Sequence, residues 1–358
     1  MHINLQNKNH SMANYQPAIF SASLGRAWLH NLDDKLKQAA DKGFKGIELF
    51  YEDLEYAAKG ISKNNSPSSE DLKAGAAHIH QLCQDLGLTI LSLQPFGNYD
   101  GLLDRAQHDR MIEKLKFWFE LAKVLRTDAI GIPANMLPAD QVTEDKSLIA
   151  SDLREIADLG ARQDPPIRFA YENLCWSTRI DTWEQAWDMV RRVDRPNFGL
   201  CLDTFNIAGR VWGDPTAADG KTANADGKTA NADADLAASL ERLVREVDVA
   251  KVFYVQIVDA ERMETPLVEG HAFYDASQPA RMSWSRNART FMYEEERGAY
   301  LPVEKVAKAI FGGLGYKGFV SQELFSRTLV EEGERVPGEH ARRGIESWKK
   351  CQTRLGLT

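Results

Sequence analysis

The sequence predicts an α/β protein with the fold of a closed (β/α)8 TIM barrel. Short apolar runs alternate with longer helical patterns, eight such units follow one another, and no GxGxxG motif follows the first strand. Apolar strands separated by helices indicate a parallel sheet that is covered on both faces, and eight units are the number that closes a barrel. A doubly wound open sheet is the alternative, and the missing glycine motif argues against it.

Each unit begins with a strand that is rich in β-branched or aromatic residues. The eight predicted strands cover 17–23, 46–50, 89–95, 129–133, 167–173, 198–203, 251–259 and 318–323. Helical patterns follow the first five at 31–43, 70–86, 105–125, 146–162 and 181–193. Helical sequence also follows the seventh and eighth strands, so the chain contains the full set of units that the barrel requires.

One domain accounts for most of the chain. Residues 1–14 form a polar N-terminal extension that we expect to be disordered, and residues 15–358 form the single barrel. A low-complexity loop insert is expected at 214–235, where the unit DGKTANA occurs twice in tandem. Its small polar residues cannot bury a core, so we expect a tolerant surface loop, with a lid as the alternative. The loop at 260–300 is rich in arginine and aromatic residues, and we expect it to be functional.

The composition excludes several classes of function. The 358 residues carry a formal net charge of −8, which disfavours a protein that binds nucleic acid. No apolar run is long enough to span a membrane, and the first residues lack the hydrophobic centre of a secretion signal. The four cysteines lie far apart without a CxxC pair, as is typical of reduced thiols in a cytoplasmic protein. We therefore expect a cytoplasmic protein with a small-molecule partner, and no pattern specifies its oligomeric state.

Oxygen-bearing side chains lie at the ends of four consecutive predicted strands. These are Glu172, Asp203, Gln256 and Glu323, which a barrel would bring to the C-terminal rim, where catalysis takes place in this fold. Three carboxylates in one pocket repel one another unless a cation neutralises them. Oxygen donors suit one divalent ion, Mg²⁺ or Mn²⁺ with Co²⁺ as a further candidate, and the lack of histidine argues against zinc. The alternative for a single strand end such as Asp203 is a helix cap or a salt bridge.

Several stretches resemble a known family. The E, D, Q and E on strands five to eight resemble the xylose isomerase-like superfamily, which includes sugar isomerases and epimerases, myo-inosose dehydratase and endonuclease IV. Within it, GFKGIELFYEDL, LSLQPF, YENLCW, PNFGLCLDTFNIAGR, YVQIVDAER and MSWSRNARTF resemble the fungal 3-dehydroshikimate dehydratases of quinate catabolism. The resemblance spans about 17–330, and DTFNIAGR and QIVDAER are its most specific parts. It implies a metal-dependent hydro-lyase that converts 3-dehydroshikimate to protocatechuate and water, with the four strand-end residues as metal ligands.

The substrate that this resemblance implies bears a carboxylate, for which the planar fork of arginine is a suitable partner. Ser285 and Arg289 match a serine and arginine pair of the family, and Arg286 and Arg210 are further substrate-binding candidates near them. Glu48, near the end of the second strand, is another candidate at the rim. It either contributes to the substrate site or pairs structurally with an arginine.

Two positions depart from the pattern of related bacterial dehydratases. Asn206 stands three residues after the strand-six aspartate, where those proteins carry histidine, and Gly97 follows the QPF run, where they carry arginine. Asn206 is thus a candidate at the catalytic position, although an amide cannot serve as a general base. The candidates for that base are Glu172, Glu323 and a hydroxide on the metal ion, and the sequence does not choose among them.

Other functions are compatible with a barrel of this kind. A sugar or keto-acid isomerase or epimerase of the same superfamily would use the same ion, and it would act on ketoses without forming an aromatic product. A barrel that binds a ligand without catalysis would show no metal-dependent activity. An endonuclease IV function is disfavoured by the acidic charge and by the lack of the histidines needed for a multi-metal cluster.

Overall fold

Eight parallel strands form the centre of the fold. The computed structural model describes residues 15–223, 231–333 and 335–357, so the predicted extension at 1–14 and part of the repeat lie outside the described residues. The barrel strands are β1 (Tyr15–Phe20), β2 (Gly46–Phe50), β3 (Thr89–Gln94), β4 (Ala129–Pro133), β5 (Arg168–Glu172), β6 (Phe198–Asp203), β7 (Val252–Gln256) and β8 (Gly318–Gln322). They close in chain order, with β8 beside β1. The predicted TIM barrel is confirmed.

Helices surround the barrel. They are α1 (Leu32–Lys42), α2 (Tyr51–Ser62), α3 (Ser69–Asp85), α4 (Arg105–Leu125), α5 (Lys146–Ala161), α6 (Trp183–Val193), α7 (Thr204–Val211), α8 (Ala232–Glu246), α9 (Ala280–Ala288), α10 (Val303–Lys308) and α11 (Arg335–Leu355). Short 3-10 helices occur at Ser21–Leu24, Val249–Lys251, Glu295–Arg297 and Arg327–Val330, and a π-helical turn at Ala309–Gly313. The five helices predicted with bounds all occur, whereas α2 and α7, which begin directly after strands, were not predicted. Within the described ranges, no helix is long and apolar enough to cross a membrane.

Local sequence explains where several helices begin and end. Asn31 caps α1 by accepting a hydrogen bond from the backbone N–H of Asp33. Gly43 ends the same helix with a φ of 105°, a conformation that residues with a Cβ rarely adopt. Thr182 and Gln185 form a capping box at the start of α6. These caps limit the helices to lengths that return the chain to the next strand of the barrel.

Two apolar layers pack against the strands. The larger layer lies between the helices and the outer face of the barrel. The smaller layer consists of Ala18, Leu91, Ala170, Cys201 and Tyr254. Alternate residues of a strand share a face, so Ala170, Cys201 and Tyr254 lie on the same face as the side chains two positions further along β5, β6 and β7. The small apolar layer therefore lies inside the barrel, directly beneath the strand ends that the sequence marks as functional. All four cysteines are free and buried.

The segment after β6 differs from the predicted insert at its C-terminal end. Asn231 caps α8, which begins at Ala232, so the last four residues of the predicted insert at 214–235 are helical. In the first copy of the repeat, the backbone oxygen of Gly220 accepts a hydrogen bond from the hydroxyl of Tyr300 at 2.9 Å. Lys221 Nζ lies 3.4 Å from Asp233 Oδ2. The start of the repeat is therefore close to the start of α8.

The long segment after β7 brings its arginines to the barrel rim. The short strands Asp259–Ala260 and Arg289–Thr290 pair in an antiparallel manner, and α9 lies between them in the chain. The backbone N–H of Arg289 also donates to the backbone oxygen of Phe325, which follows β8, at 2.9 Å. These contacts attach the segment to the end of the barrel that carries Glu323.

We expect the protein to tolerate the loss of one copy of the repeat. Deleting residues 224–230 leaves one DGKTANA unit and joins Ala223 to Asn231. The ion pair of Lys221 with Asp233 already holds the two sides together, and the entropy of loop closure depends only weakly on loop length. The free energy of unfolding should therefore change by less than about 1 kcal/mol. Chemical denaturation measures the change, and a loss of several kcal/mol would show that the fold needs contacts from the repeat.

Candidate active site

Three carboxylates meet at the C-terminal ends of the barrel strands. Glu172 ends β5, Asp203 ends β6 and Glu323 directly follows β8. One carboxylate oxygen of each lies within 4.8 Å of the others, and all three side chains are buried. Gln256, the last residue of β7, pairs in register with Asp203 on the neighbouring strand. The parallel barrel thus brings together the four residues that the sequence marks as candidate metal ligands.

Asp203 caps a helix and also faces the other two carboxylates. Its Oδ1 accepts a hydrogen bond from the backbone N–H of Phe205 at 2.8 Å, which caps α7. Its Oδ2 faces the other carboxylates and accepts hydrogen bonds from Asn206 Nδ2 and Arg289 Nη1, each at 2.9 Å. The helix cap and the site use different oxygens of the same side chain, so the cap holds the carboxylate in a fixed orientation.

Asn206 tethers two of the three carboxylates. Its Nδ2 donates to Glu172 Oε1 at 2.8 Å as well as to Asp203, and its Oδ1 accepts from the backbone N–H of Cys175 at 3.0 Å. The side chain is fully buried, and its amide already has partners on both sides. These contacts hold Asn206 between the two carboxylates, and its place among the catalytic candidates stays a prediction.

Arg289 supplies positive charge inside the cluster. Its Nη1 donates to Asp203 Oδ2 at 2.9 Å and to Glu323 Oε2 at 2.8 Å, and its Nε donates to Ser285 Oγ at 2.9 Å. The guanidinium carbon lies 4.3 Å from the ring centre of Phe205, and the residue is only 2% exposed. These contacts hold the guanidinium against two carboxylates of the protein, and the role of Arg289 toward a substrate carboxylate stays a prediction. Ser285 in turn fixes the guanidinium.

A further layer of hydrogen bonds orients Gln256. Glu48 Oε1 accepts from Gln94 Nε2 at 2.7 Å and from Gln256 Nε2 at 2.9 Å, and Glu48 Oε2 accepts from Ser321 Oγ at 2.7 Å. Glu48 is fully buried and pairs with amides and a hydroxyl instead of an arginine. These contacts hold the amide of Gln256 in place, and a role for Glu48 in binding substrate stays a prediction. Gln256 Oε1 is buried and has no hydrogen-bond partner within the described part of the chain.

An open cavity of about 450 Å³ adjoins the carboxylates. Glu172 and Glu323 line it together with Ser285, Arg286 and Arg289. Its apolar lining includes four aromatic side chains, which are Phe20, Phe50, Trp176 and Phe325. A cavity with aromatic walls and a few charged groups suits a small ring-shaped molecule with polar substituents.

The predicted substrate-binding arginines differ in their positions. Arg286 lines the cavity, where its Nη1 donates to the neutral side chain of Gln278 at 2.6 Å. Arg210 is not among the residues that line the cavity, and its Nε donates to Asp181 Oδ2 at 2.6 Å, so the structure does not bring Arg210 together with the other candidates. Sequence reasoning does not single out Arg26, which also lines the cavity. Its place in the loop that follows β1 is the signal that could have found it, since such loops form the active face of a barrel.

The donor set fits a divalent ion. Three carboxylates meet at one buried place, and Gln256, in register with Asp203, carries a buried oxygen without a partner in the described ranges. Mg²⁺ and Mn²⁺ prefer oxygen ligands. Arg289 balances one of the three negative charges, and a divalent ion would balance the other two. Both the donors and the charge therefore agree with the predicted metal centre.

Burial raises the pKa values of the carboxyl groups around this centre. It raises the pKa of Glu48 to about 7 and that of Glu323 to about 8. Burial also raises the pKa of Asp203, and burial together with the neighbouring carboxylates raises that of Glu172 well above its usual range. The positive charge of Arg289 opposes the shift at Glu172, Asp203 and Glu323. Without a metal ion, some of these groups would therefore bind protons near neutral pH.

Comparison with known proteins identifies relatives of this chain. A family model described as a xylose isomerase-like TIM barrel matches residues 36–351. The chain is 57% identical over 339 residues to the 3-dehydroshikimate dehydratase of Neurospora crassa, and the match covers 93% of this chain and 92% of that protein.

Solved structures share the fold at lower identity. A xylose isomerase-like TIM barrel/4-hydroxyphenylpyruvate dioxygenase fusion protein superposes with a TM-score of 0.69 and 24% identity, over 95% of this chain and 43% of that one. The IolI protein with a bound zinc atom superposes with a TM-score of 0.64 and 17% identity, over 95% of this chain and 97% of that one. These two likenesses concern the fold alone.

We expect the metal-free protein to be less stable at about pH 8 than at about pH 5. A carboxyl group whose pKa is raised in the folded state holds its proton there more tightly than in the unfolded chain, where the pKa is about 4.3. The free energy of unfolding should therefore fall as the pH rises from the unfolded value through about 7 and about 8, the folded values of Glu48 and Glu323. The expected fall is at least about 2 kcal/mol.

Urea denaturation in the presence of EDTA at several pH values measures this change. Saturating Mg²⁺ is the matched control, because a bound cation favours the charged carboxylates and should reduce the fall. If the metal-free protein were equally stable at both pH values, the fold would not raise the pKa values of these carboxyl groups.

Proposed function

The chain belongs to the xylose isomerase-like TIM barrel family, and we propose that it is a hydro-lyase that dehydrates 3-dehydroshikimate to protocatechuate. The observation that carries this proposal is the high identity to the Neurospora crassa dehydratase, which extends over nearly the whole length of both chains. The cavity and the carboxylate cluster supply the charge and the space that such a reaction needs. The reaction would place the protein in quinate catabolism.

Four residues at the strand ends would hold one divalent ion, Mg²⁺ or Mn²⁺ with Co²⁺ as a substitute, which would supply the Lewis acidity that polarises the substrate ketone. They are Glu172, Asp203, Gln256 and Glu323. Asn206 tethers the carboxylates of Glu172 and Asp203. Glu48 accepts from the amide nitrogen of Gln256 and so leaves its oxygen free to act as a ligand. Such supporting contacts keep a ligand set in the geometry that an ion requires.

Glu172 is better placed than Glu323 to accept a proton from the substrate. Its Oε1 accepts from Asn206 at 2.8 Å, its Oε2 accepts from no residue in the described ranges, and the side chain lines the cavity. Both oxygens of Glu323 are engaged, by Gln94 at 3.2 Å and by Arg289 at 2.8 Å. Removal of the proton beside the ketone would leave an electron pair that expels the neighbouring hydroxyl, which leaves as water after it is protonated. The dienone that remains becomes the aromatic ring when its ring methylene loses a proton and the ketone oxygen gains one.

Arg286 is the arginine that best suits the substrate carboxylate. Arg289 is committed to Asp203 and Glu323, whereas Arg286 makes no ion pair with any described residue and lines the same cavity. A carboxylate that enters a site with three carboxylates of its own needs a separate positive charge that keeps it away from them. Arg286 would provide that charge at the cavity wall.

We expect the purified protein, supplied with Mg²⁺ or Mn²⁺, to convert 3-dehydroshikimate to a product with the ultraviolet absorption of protocatechuate. EDTA should abolish the conversion and added ion should restore it, because the carboxylate cluster needs a cation to bind and polarise the substrate. An uncharged ketose serves as the control substrate, since a sugar isomerase of this family would accept it. Full turnover by thoroughly metal-free protein would contradict the metal requirement, and conversion of the ketose alone would favour the isomerase.

We expect Arg286→Ala to raise the KM for 3-dehydroshikimate by about tenfold or more, because one charged hydrogen bond contributes about 1.5–3 kcal/mol. Metal content, measured by atomic emission, should not change. Arg168→Ala is the matched control, since Arg168 pairs with Asp128 at the opposite end of β5. Wild-type kinetics for Arg286→Ala would remove this residue from the substrate site.

A further inference from the structure

Arg26 lies in the wall of the cavity that contains Glu172 and Glu323. It follows β1 and the 3-10 helix Ser21–Leu24, and its backbone N–H donates to the backbone oxygen of Leu329 at 3.0 Å. Its side chain is 23% exposed. A long cationic side chain is thus held mostly out of water beside the proposed reaction centre.

The guanidinium of Arg26 is oriented but not saturated. Its Nη2 donates to both carboxylate oxygens of Glu52, at 3.1 Å and 2.9 Å. The guanidinium carbon also lies 4.4 Å from the ring centre of Trp28. Its Nε is buried with no hydrogen-bond partner within the described ranges, and no hydrogen bond from Nη1 occurs there either. Glu52 therefore holds Nη2 in place, and Nε and Nη1 remain as donors for another group.

Arg26 and Arg286 line the same cavity, where both carry positive charge. Glu52 balances the charge of Arg26, whereas Arg286 donates to the neutral side chain of Gln278. The three charged side chains Arg26, Glu52 and Arg286 therefore carry one net positive charge at the wall of the cavity. Guanidinium donors of this kind favour a carboxylate as the ligand.

We propose that Arg26, anchored by Glu52, is a second arginine that binds the substrate carboxylate and selects ligands that bear one. This inference rests on the proposed dehydration reaction. Arg286 supplies the unpaired charge, and Arg26 supplies pre-oriented donors in the wall of the same cavity. A ring of the same size without a carboxylate would leave both guanidinium groups unsatisfied, and this difference is the basis of the selection.

Binding of the product and of its analogue isolates this contribution. Protocatechuate and catechol share the two ring hydroxyls, and only protocatechuate carries the carboxylate. Isothermal titration of the Mg²⁺-loaded protein with each compound measures how much the carboxylate strengthens binding. Arg26→Gln should weaken protocatechuate binding by about tenfold and leave catechol binding unchanged. Arg26→Lys should recover part of the loss, because lysine retains the charge but not the planar fork.

Steady-state kinetics provide the second readout. Arg26→Gln should raise the KM for 3-dehydroshikimate by about tenfold, with a smaller effect on kcat. Arg168→Gln is the control, because its ion pair lies at the other end of the barrel, and thermal unfolding establishes that each variant is folded. If folded Arg26→Gln bound protocatechuate and 3-dehydroshikimate as the wild type does, the inference would be overturned. If the wild type formed no protocatechuate, the proposed function would fail instead, which separates the two outcomes.

Discussion

Three buried carboxylates with oxygens within 4.8 Å of one another are the constraint on which this structure depends. Like charges at such separations repel strongly in a low-dielectric interior. The protein must therefore supply positive charge at this place, or the carboxyl groups must bind protons. Arg289 provides one positive charge by contacting Asp203 and Glu323, and a divalent ion would provide the rest. The electrostatics of the barrel thus favour an ion at this place.

A few residues at the junction between β6 and α7 hold the carboxylates and Arg289 in place. Asp203 caps the helix with one oxygen and enters the site with the other. Phe205 supports the guanidinium of Arg289, and Asn206, one residue further on, tethers Asp203 to Glu172. Because the cap, the ring and the amide belong to one short helix, the carboxylates cannot easily separate to relieve their repulsion. Positive charge therefore has to offset the repulsion between the carboxylates, and their arrangement suits an ion.

The strands and the strand-end residues could be predicted because their signals are local. A parallel barrel aligns the ends of its strands whatever the loops do, so Glu172, Asp203, Gln256 and Glu323 come together as the sequence indicates. Contacts between distant loops leave no such signal. Asp181, from the loop before α6, accepts a hydrogen bond from Arg210. Glu48 accepts one from the side-chain amide of Gln256 and does not pair with any described arginine. Helix α7 was also not predicted, because its eight residues are too few to show a helical period.

Titration of metal-free protein with Mn²⁺, followed by electron paramagnetic resonance, tests most directly the claim that this cluster is a divalent-metal centre balanced by Arg289. We expect one Mn²⁺ bound per chain in the wild type and loss of that binding in Asp203→Asn. Asparagine is a good helix cap, so this variant keeps the start of α7 while it removes one negative charge from the ligand set. Undiminished Mn²⁺ binding by folded Asp203→Asn, or no binding by the wild type, would show that the cluster is not a divalent-metal centre of this kind.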